Sequence, residues 1–296
     1  MRCFFTLGLV GALLGVATTA RAWGHDGHRV VGELAWHQLS TEARASVAEC
    51  LSDPGYETLA EAATWPDTVA RRFREYDAMA PFHYVNVDSK AQSYNAQRDC
   101  PNGCVVNVLG QFVTLLGSKE PPLSLKERRF SIYWIAHLVG DIHQPLHVAH
   151  PDGKGGTATQ VFFPFPGVLG QAAKPNAHWV WDVGLIEQRP AALQSSESAP
   201  EIKSEEPSHW RALAASLLAD MKPARAKAWQ QVTSPEAYAN EGLALARRHA
   251  FMKSDQVVDA AYVETKWPIV AQQLQKAGAR LAGILNRVLS HEPQSP

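Results

Sequence analysis

Histidine and aspartate side chains recur in this chain at spacings that suit metal binding. Of its twelve histidines, nine lie between His25 and His178. His137 and Asp141 are four residues apart, as are His178 and Asp182, and in a helix that spacing places both side chains of a pair on one face. Imidazole nitrogens and carboxylate oxygens together bind zinc in catalytic sites. The pattern therefore predicts a zinc site, although iron(II) and manganese accept similar ligands.

Each of these features also has a simpler interpretation. A His–Asp pair at helical spacing is often a surface ion pair, Asp67 has the sequence context of a helix N-cap, and His83 lies among aromatic residues of the kind that form a core. His147 follows closely after the segment that bears Asp141. Metal binding is favoured because it explains all of these features within one stretch of the chain.

The segments that must position these residues have the apolar spacing of helices. Apolar residues recur at intervals of three and four in segments 30–39, 41–51, 105–116, 125–143, 209–221, 235–251 and 259–289. Segment 125–143 is apolar on nearly every face, which predicts a central helix, and Pro145 should end it. We predict an all-α fold, a single helical domain with a small loop or hairpin insertion.

Two segments interrupt the helical pattern. Residues 151–175 are rich in glycine, proline and phenylalanine, which predicts a surface loop or hairpin with strand character at 159–163. Residues 188–207 are rich in serine, glutamate and proline and are expected to form an exposed connection.

The first residues have the character of a secretory signal peptide. A short basic start precedes an apolar run, and Ala20-Arg21-Ala22 matches a cleavage site of small residues. A retained membrane anchor is less favoured because the run is short for a bilayer. We predict a bacterial general secretory signal and a periplasmic or secreted protein, with a signal peptide at 1–22, a catalytic domain at 23–289 and a disordered tail at 290–296.

The charge balance excludes a nucleic-acid-binding protein that depends mainly on basic side chains. Loss of residues 1–22 would leave 26 lysines and arginines against 29 acidic residues, a net charge near −3. Proteins that bind nucleic acid by neutralising phosphates are normally basic. If nucleic acid is the substrate, bound metal must supply much of the positive charge.

The cysteines that follow the signal peptide favour one short disulfide. Cys100 and Cys104 flank a turn-forming Pro-Asn-Gly triplet, so in an oxidising compartment we expect them to pair, with a zinc site as the alternative. Cys50 is predicted to be a buried, unpaired thiol.

Five motifs occur in the order and spacing of a known enzyme family. They are Trp23-Gly24-x-x-x-His28, Trp65-x-Asp67, His83-Tyr84, His137-x-x-x-Asp141-x-x-x-Pro145-Leu146-His147 and Asn176-x-His178-x-x-Trp181-Asp182. With them the chain resembles the trinuclear-zinc, single-strand-specific nucleases and 3′-nucleotidases of fungi, plants and bacteria, which are distantly related to zinc phospholipase C. The motifs cover residues 23–182, a little over half of the chain.

The resemblance implies three zinc ions per chain. The Trp23 ligands would be its α-amine, which exists only after cleavage behind Ala22, and its carbonyl oxygen. The implied ligands are Asp67, His83, His137 and Asp141 for the first ion, Trp23, His28 and bridging Asp141 for the second, and His147, His178 and Asp182 for the third.

The implied activity is endonucleolytic hydrolysis of single-stranded DNA and RNA to 5′-phosphorylated products, together with 3′-nucleotidase activity. Asp141 would be catalytic as the bridging ligand, and Asp67 would orient the attacking water. Tyr84 occupies the family position of a base-stacking aromatic, with plain core packing as the alternative. The expected partners are single-stranded nucleic acid and nucleotides, and the protein is expected to be a monomer without a stable protein partner.

Three positions depart from the family pattern. Ala70 stands where an arginine commonly contacts phosphate, so we assign that role to Arg71. Asn86 stands where a carboxylate often reads the base, and Thr157 where asparagine is usual. Amide and carboxylate present different donors, so the base preference of the family does not carry over to this chain.

Two other functions fit parts of the sequence. A phospholipase C would use the same zinc ligands, and the apolar 157–175 loop with Phe162, Phe163 and Phe165 would suit a lipid surface, a substrate groove or the core. A zinc-buffering protein is disfavoured because such proteins use histidine-rich flexible tracts, whereas these ligands are dispersed over helices.

Overall fold

The computed structural model describes residues 23–51, 53–165, 175–189 and 209–290, with Arg71 described by its backbone alone. The predicted signal peptide at 1–22 lies outside the described residues. So do nearly all of the predicted tail, most of the predicted connection at 188–207, and part of the glycine- and phenylalanine-rich loop.

Helices form almost all of the regular structure in these residues. Segments of 3₁₀ helix span Ala70–Arg72, Arg74–His83 and Pro145–His147. Turns of π-helix span Val180–Gly184 and Ala246–Ala250. The α-helices are α1 (His25–Trp36), α2 (Thr41–Cys50), α3 (Leu59–Ala62), α4 (Trp65–Thr68), α5 (Ala96–Asp99), α6 (Val105–Gly117), α7 (Leu125–His143), α8 (Ala177–Trp179), α9 (Leu185–Glu187), α10 (His209–Asp220), α11 (Pro223–Gln230), α12 (Pro235–Leu245) and α13 (Ala260–Leu289). The predicted all-α fold is confirmed.

Local sequence signals set the ends of the central helix. At its start, Ser124 Oγ accepts a hydrogen bond from Glu127 N at 3.3 Å, while Glu127 Oε2 accepts one from Ser124 N at 2.8 Å. This reciprocal capping satisfies two backbone donors that the first turn cannot pair. At its end, Gln144 is extended and Pro145 follows, as predicted. All thirteen residues from Ser131 to His143 are buried, so α7 is the core helix.

The C-terminal end of α7 is anchored by α13. Arg280 is buried and donates to His143 Nε2 at 2.9 Å and to Glu241 Oε1 at 2.7 Å, and its guanidinium lies over the Tyr238 ring. Burial and the nearby Arg280 charge lower the pKa of His143 to about 3, so the imidazole stays neutral and accepts this bond. In addition, Gln273 donates to the His143 carbonyl at 2.9 Å.

The loop insertion is closed at its base and also pairs with a distant segment. Gln160 and Asn176 form an antiparallel bridge, which gives the insertion the predicted hairpin character. Strand β1 (Val161–Phe162) additionally pairs in parallel with β2 (Gln256–Val257), a contact that the sequence pattern did not predict. Helix α11 was not predicted either, because its hydrophobic side chains show little periodicity.

The cysteine predictions are confirmed. Cys100 and Cys104 form a disulfide with their Cα atoms 5.4 Å apart, and Cys50 is buried and unpaired. Among the described residues, no helix combines the length and the apolar character that crossing a bilayer requires.

We expect Gly32→Ala to destabilise the fold. Helices α1 and α3 touch backbone to backbone at this glycine, where a Cβ would lie 2.5 Å from Leu59 O and 2.7 Å from Ala60 Cα. Overpacking against immobile backbone should cost about 1–3 kcal/mol, measured as a lower Tm and urea midpoint. Gly110→Ala in α6 is the control, since a Cβ there meets nothing within 4 Å. It should stabilise by about 0.5–1 kcal/mol, and equal effects of both substitutions would contradict the close approach.

Candidate metal centre

The predicted ligands come from several different segments that meet along α7. His137 and Asp141 lie one turn apart on that helix, as their spacing predicted. Of the remaining predicted ligands, His28 lies on α1 and Asp67 on α4. His83 ends the Arg74–His83 segment and His147 ends the Pro145–His147 turn. His178 and Asp182 lie on the helical stretch that begins with α8. The structure thus brings together residues that are up to 154 positions apart in sequence.

Predicted ligands of the first and second ions lie around the Asp141 carboxylate. Its Oδ2 lies 3.1 Å from His83 Nδ1 and 3.3 Å from His137 Nε2, and its Oδ1 lies 3.3 Å from His28 Nε2. Asp67 Oδ1 is 3.9 Å from His137 Nε2. Two sets of donors therefore overlap, one made of His28, His137 and Asp141 and one of Asp67, His83 and His137.

A further group of donors lies beside them. His178 Nε2 is 3.0 Å from Asp182 Oδ2 and 3.1 Å from His147 Nε2, and His147 Nε2 is 3.9 Å from Asp182 Oδ1. These three residues are the set that the family resemblance assigned to the third ion. We call them the third group.

Backbone carbonyls fix the orientation of three imidazoles. Nδ1 of His137 donates to Ala63 O at 2.8 Å, Nδ1 of His147 to His83 O at 2.7 Å, and Nδ1 of His178 to Gly155 O at 2.8 Å. A proton on Nδ1 leaves the Nε2 lone pair directed at the cluster. This is the tautomer and outer hydrogen bond that metal-binding histidines usually show.

The burial of these donors fits a cation. Both ring nitrogens of His28 are buried and make no hydrogen bond to the described residues, although Nε2 faces Asp141. Burial and the neighbouring His137 lower the pKa of His28 well below its usual value, so the ring is neutral and able to bind a metal. Burial raises the pKa of Asp182 to about 6, against the opposing effects of His178 and Gln144. A bound divalent cation would offset the desolvation of the Asp182 carboxylate and would accept the lone pair of a buried His28 nitrogen.

Trp23 and a glycine of α7 complete the packing around His28. The Trp23 side chain is fully buried, and Gly24 N donates to Asp182 O at 2.9 Å, which ties the start of the described chain to the third group. A Cβ at Gly140 would lie 2.7 Å from His28 Nδ1, so a larger residue would displace this ring from its stacked position on His137.

A cavity of about 670 Å³ opens over the cluster, and His83 and His178 form part of its wall. Tyr84 and Asn86, predicted to bind substrate, both line it. They alternate with Val85 and Val87, which are buried and donate backbone hydrogen bonds to His147 O and Val148 O. Because successive side chains of an extended segment point to opposite faces, Tyr84 and Asn86 face the cavity while the two valines face the core.

The departures from the family pattern also lie at the cavity. Ala70 and Thr157 line it. The side chain of Arg71, predicted to contact phosphate, lies outside what the structure describes. Of the phenylalanines in the insertion, Phe163 is buried against Trp179, whereas Phe162 is 60% exposed.

The sequence patterns missed Gln144. Its side chain is fully buried, its Oε1 accepts from Leu146 N at 2.6 Å, and its Nε2 donates to Asp182 Oδ1. The amide therefore links the end of α7 to the third group. Its position directly before Pro145-Leu146-His147 was the only available signal.

We expect Gln144→Leu to weaken metal binding at the third group by about ten- to a hundredfold, because outer hydrogen bonds orient ligand carboxylates. The measurement is zinc content per chain after dialysis against graded chelator buffers. Gln273→Leu removes another buried glutamine, whose amide bonds the His143 carbonyl, and should lower stability without lowering zinc content. If both variants lose zinc alike, Gln144 has no specific effect on the third group.

Comparison with known proteins agrees with this geometry. Residues 23–290 match the family model described as S1/P1 Nuclease. The chain is 30% identical to Endonuclease 2 of Arabidopsis thaliana, over 93% of each protein. It is 28% identical to Nuclease S1 of Aspergillus oryzae, over 62% of this chain and 61% of that one, and 25% identical to Nuclease P1 of Penicillium citrinum, over 54% and 57%. The match spans nearly all of the described residues, and this chain belongs to the S1/P1 nuclease family.

Proposed function

We propose that this protein is a secreted, zinc-dependent endonuclease that cleaves single-stranded DNA and RNA to 5′-phosphorylated products and removes 3′-phosphates from nucleotides. Family membership gives the coarser result, a nuclease that hydrolyses phosphodiester bonds. The observation that carries the finer proposal is the convergence of three His/Asp groups beside one cavity. Such a cavity is of the size that holds a nucleotide-sized ligand.

The proposed cofactor is three zinc ions. Two would be held by the overlapping donors around Asp141, with the Trp23 amine and carbonyl oxygen completing the second set, and one by the third group. Nitrogen and oxygen donors without thiolates suit catalytic zinc. When bound, zinc would supply Lewis acidity that activates water near neutral pH and offsets negative charge on the phosphate.

The other proposed roles follow from the cavity wall. Asp67 has its side chain only 1% exposed beside His137, from where its second oxygen could orient the attacking water. Tyr84 would stack on a base and Asn86 would bond its edge, since both side chains line the cavity. Arg71 is proposed to contact the scissile phosphate, because it is the next residue after Ala70, which lines the cavity.

The cellular setting is proposed from the sequence. Cleavage of a signal peptide at 1–22 would release a catalytic domain of residues 23–289 into the periplasm or medium, where the Cys100–Cys104 disulfide is stable. The enzyme is proposed to act as a monomer, with residues 290–296 as a disordered tail.

The first test is hydrolysis by protein secreted with its own signal. Single-stranded DNA and RNA should yield 5′-nucleotides, a nucleoside 3′-monophosphate should release phosphate, and chelator should stop both reactions. Phosphatidylcholine should remain intact. Lipid cleavage without nucleotide release would replace this proposal with a phospholipase C.

Asp141→Ala should lower nuclease activity by more than about a hundredfold. Loss of a residue that only hydrogen-bonds to a metal ligand typically lowers activity by about ten- to a hundredfold, and Asp141 is itself a proposed shared ligand. Zinc content should fall in parallel. Asp88→Ala, an exposed aspartate, is the matched control. Unchanged turnover in Asp141→Ala would remove this residue from the proposed site.

One additional residue before Trp23 should remove the second zinc ion. A chain that retains Ala22 has its amine one residue too early, so zinc should drop from three ions to two and turnover should fall. The correctly processed chain, purified in the same way, is the reference. Full zinc content and activity in the extended chain would exclude the Trp23 amine as a ligand.

A further inference from the structure

One cationic and one anionic side chain line the cavity among the described residues, on different segments. Among the described side chains that line it, Lys154 is the one lysine or arginine and Asp77 the one carboxylate. They lie on separate segments: Asp77 on the Arg74–His83 segment, and Lys154 on the turn formed by residues 151–157. We call the latter the glycine turn.

The contacts of the glycine turn define the position of the Lys154 backbone. Asp152 Oδ1 accepts from Lys154 N at 2.8 Å and from Gly156 N at 3.1 Å, and it lies 2.8 Å from His150 Nδ1. Gly155 has a left-handed φ of 63°, and a Cβ there would lie 2.8 Å from Leu146 O. The backbone conformation around Lys154 is thus specified by its neighbours.

The same turn contacts the metal centre. The carbonyl of Gly155, the residue after Lys154, accepts the hydrogen bond from His178 Nδ1. His83 and His178 are each only 4% exposed, whereas Lys154 is exposed. The ligands therefore lie at the floor of the cavity and Lys154 at its rim.

In the proposed nuclease, the scissile phosphate must reach the buried donors at the floor of the cavity. A side chain at the rim would then be placed to meet a neighbouring phosphate of the same strand. A lysine ammonium is a solvated point charge that binds backbone phosphate without reading sequence, whereas a carboxylate repels it. In a protein with a net charge near −3 after signal removal, a single rim lysine has a large local effect.

We propose that Lys154 binds a non-scissile phosphate of the substrate and that Asp77 repels the backbone, so that the strand runs along the glycine turn. The inference rests on the proposed nuclease function. It makes Lys154 a determinant of preference for oligonucleotides over mononucleotides, because a nucleoside 3′-monophosphate carries only the phosphate that reacts.

The test compares a short single-stranded oligonucleotide with a nucleoside 3′-monophosphate. Lys154→Ala should raise KM for the oligonucleotide roughly fivefold at low salt, the upper range for an exposed ion pair, and leave KM for the monophosphate unchanged. The slope of log KM against log salt should fall by about 0.7, the value for one contact with a single strand. Lys154→Arg should restore both, and Asp77→Asn should lower KM for the oligonucleotide.

Lys119→Ala is the matched control, because Lys119 is also exposed but does not line the cavity. The proposal is overturned if Lys154→Ala affects both substrates equally, or if Lys119→Ala changes the salt slope as much. It is also overturned if Arg71→Ala alone removes the slope.

A binding measurement separates this inference from the proposed function. Anisotropy of a labelled oligonucleotide in chelator reports binding without turnover. If Lys154→Ala lowers the salt slope in a protein that cleaves no nucleic acid when loaded with zinc, Lys154 still contacts backbone phosphate but the nuclease proposal is refuted. If the wild type cleaves nucleic acid but the wild type and Lys154→Ala bind the oligonucleotide with identical salt slopes, the nuclease proposal is supported and the inference is refuted.

Discussion

The carboxylate of Asp141 is fully buried, and the rest of the centre is arranged around it. Three imidazoles, from His28, His83 and His137, lie within 3.3 Å of its oxygens. An ionised carboxylate in such a place is costly unless opposite charge or hydrogen bonds offset the desolvation. A cation held between these side chains would balance the buried carboxylate. The central position of α7, the close packing of α1 against it, and the glycine at position 140 all serve to make this arrangement possible.

Short irregular segments between the long helices supply most of the remaining donors. The Arg74–His83 segment ends in one predicted ligand, and its last carbonyl orients another, since His83 O accepts from His147 Nδ1. Gly155 O likewise orients His178. Backbone carbonyls are fixed by the fold, so they hold imidazoles more rigidly than flexible side chains would. The helices provide the scaffold, and the connections between them determine where the donors meet and how the cavity wall is formed.

The cavity differs from the family pattern in the residues that would meet substrate. Ala70 stands where the family resemblance implies an arginine, and amide and hydroxyl groups stand at Asn86 and Thr157. The predicted ligand set keeps the family pattern. A site of this kind can retain one chemistry while the surrounding side chains alter which strand it accepts, because bound metals would act on phosphate and the wall would act on base and backbone.

The sequence by itself determined the features that depend on local geometry. Helical periodicity predicted the bounds of α7 and the His137–Asp141 turn, and Pro145 predicted the end of that helix. The turn-forming triplet between Cys100 and Cys104 favoured the disulfide. The family motifs predicted which residues form each ligand group, and those roles stay predictions. The tertiary structure alone decided the contacts between distant segments: the link from Gln144 to Asp182, the carbonyls that orient imidazoles, the pairing of β1 with β2, and the placement of Lys154 at the rim. Local spacing follows from 3.6 residues per turn. Contacts across the fold depend instead on how all helices pack together, which no single segment encodes.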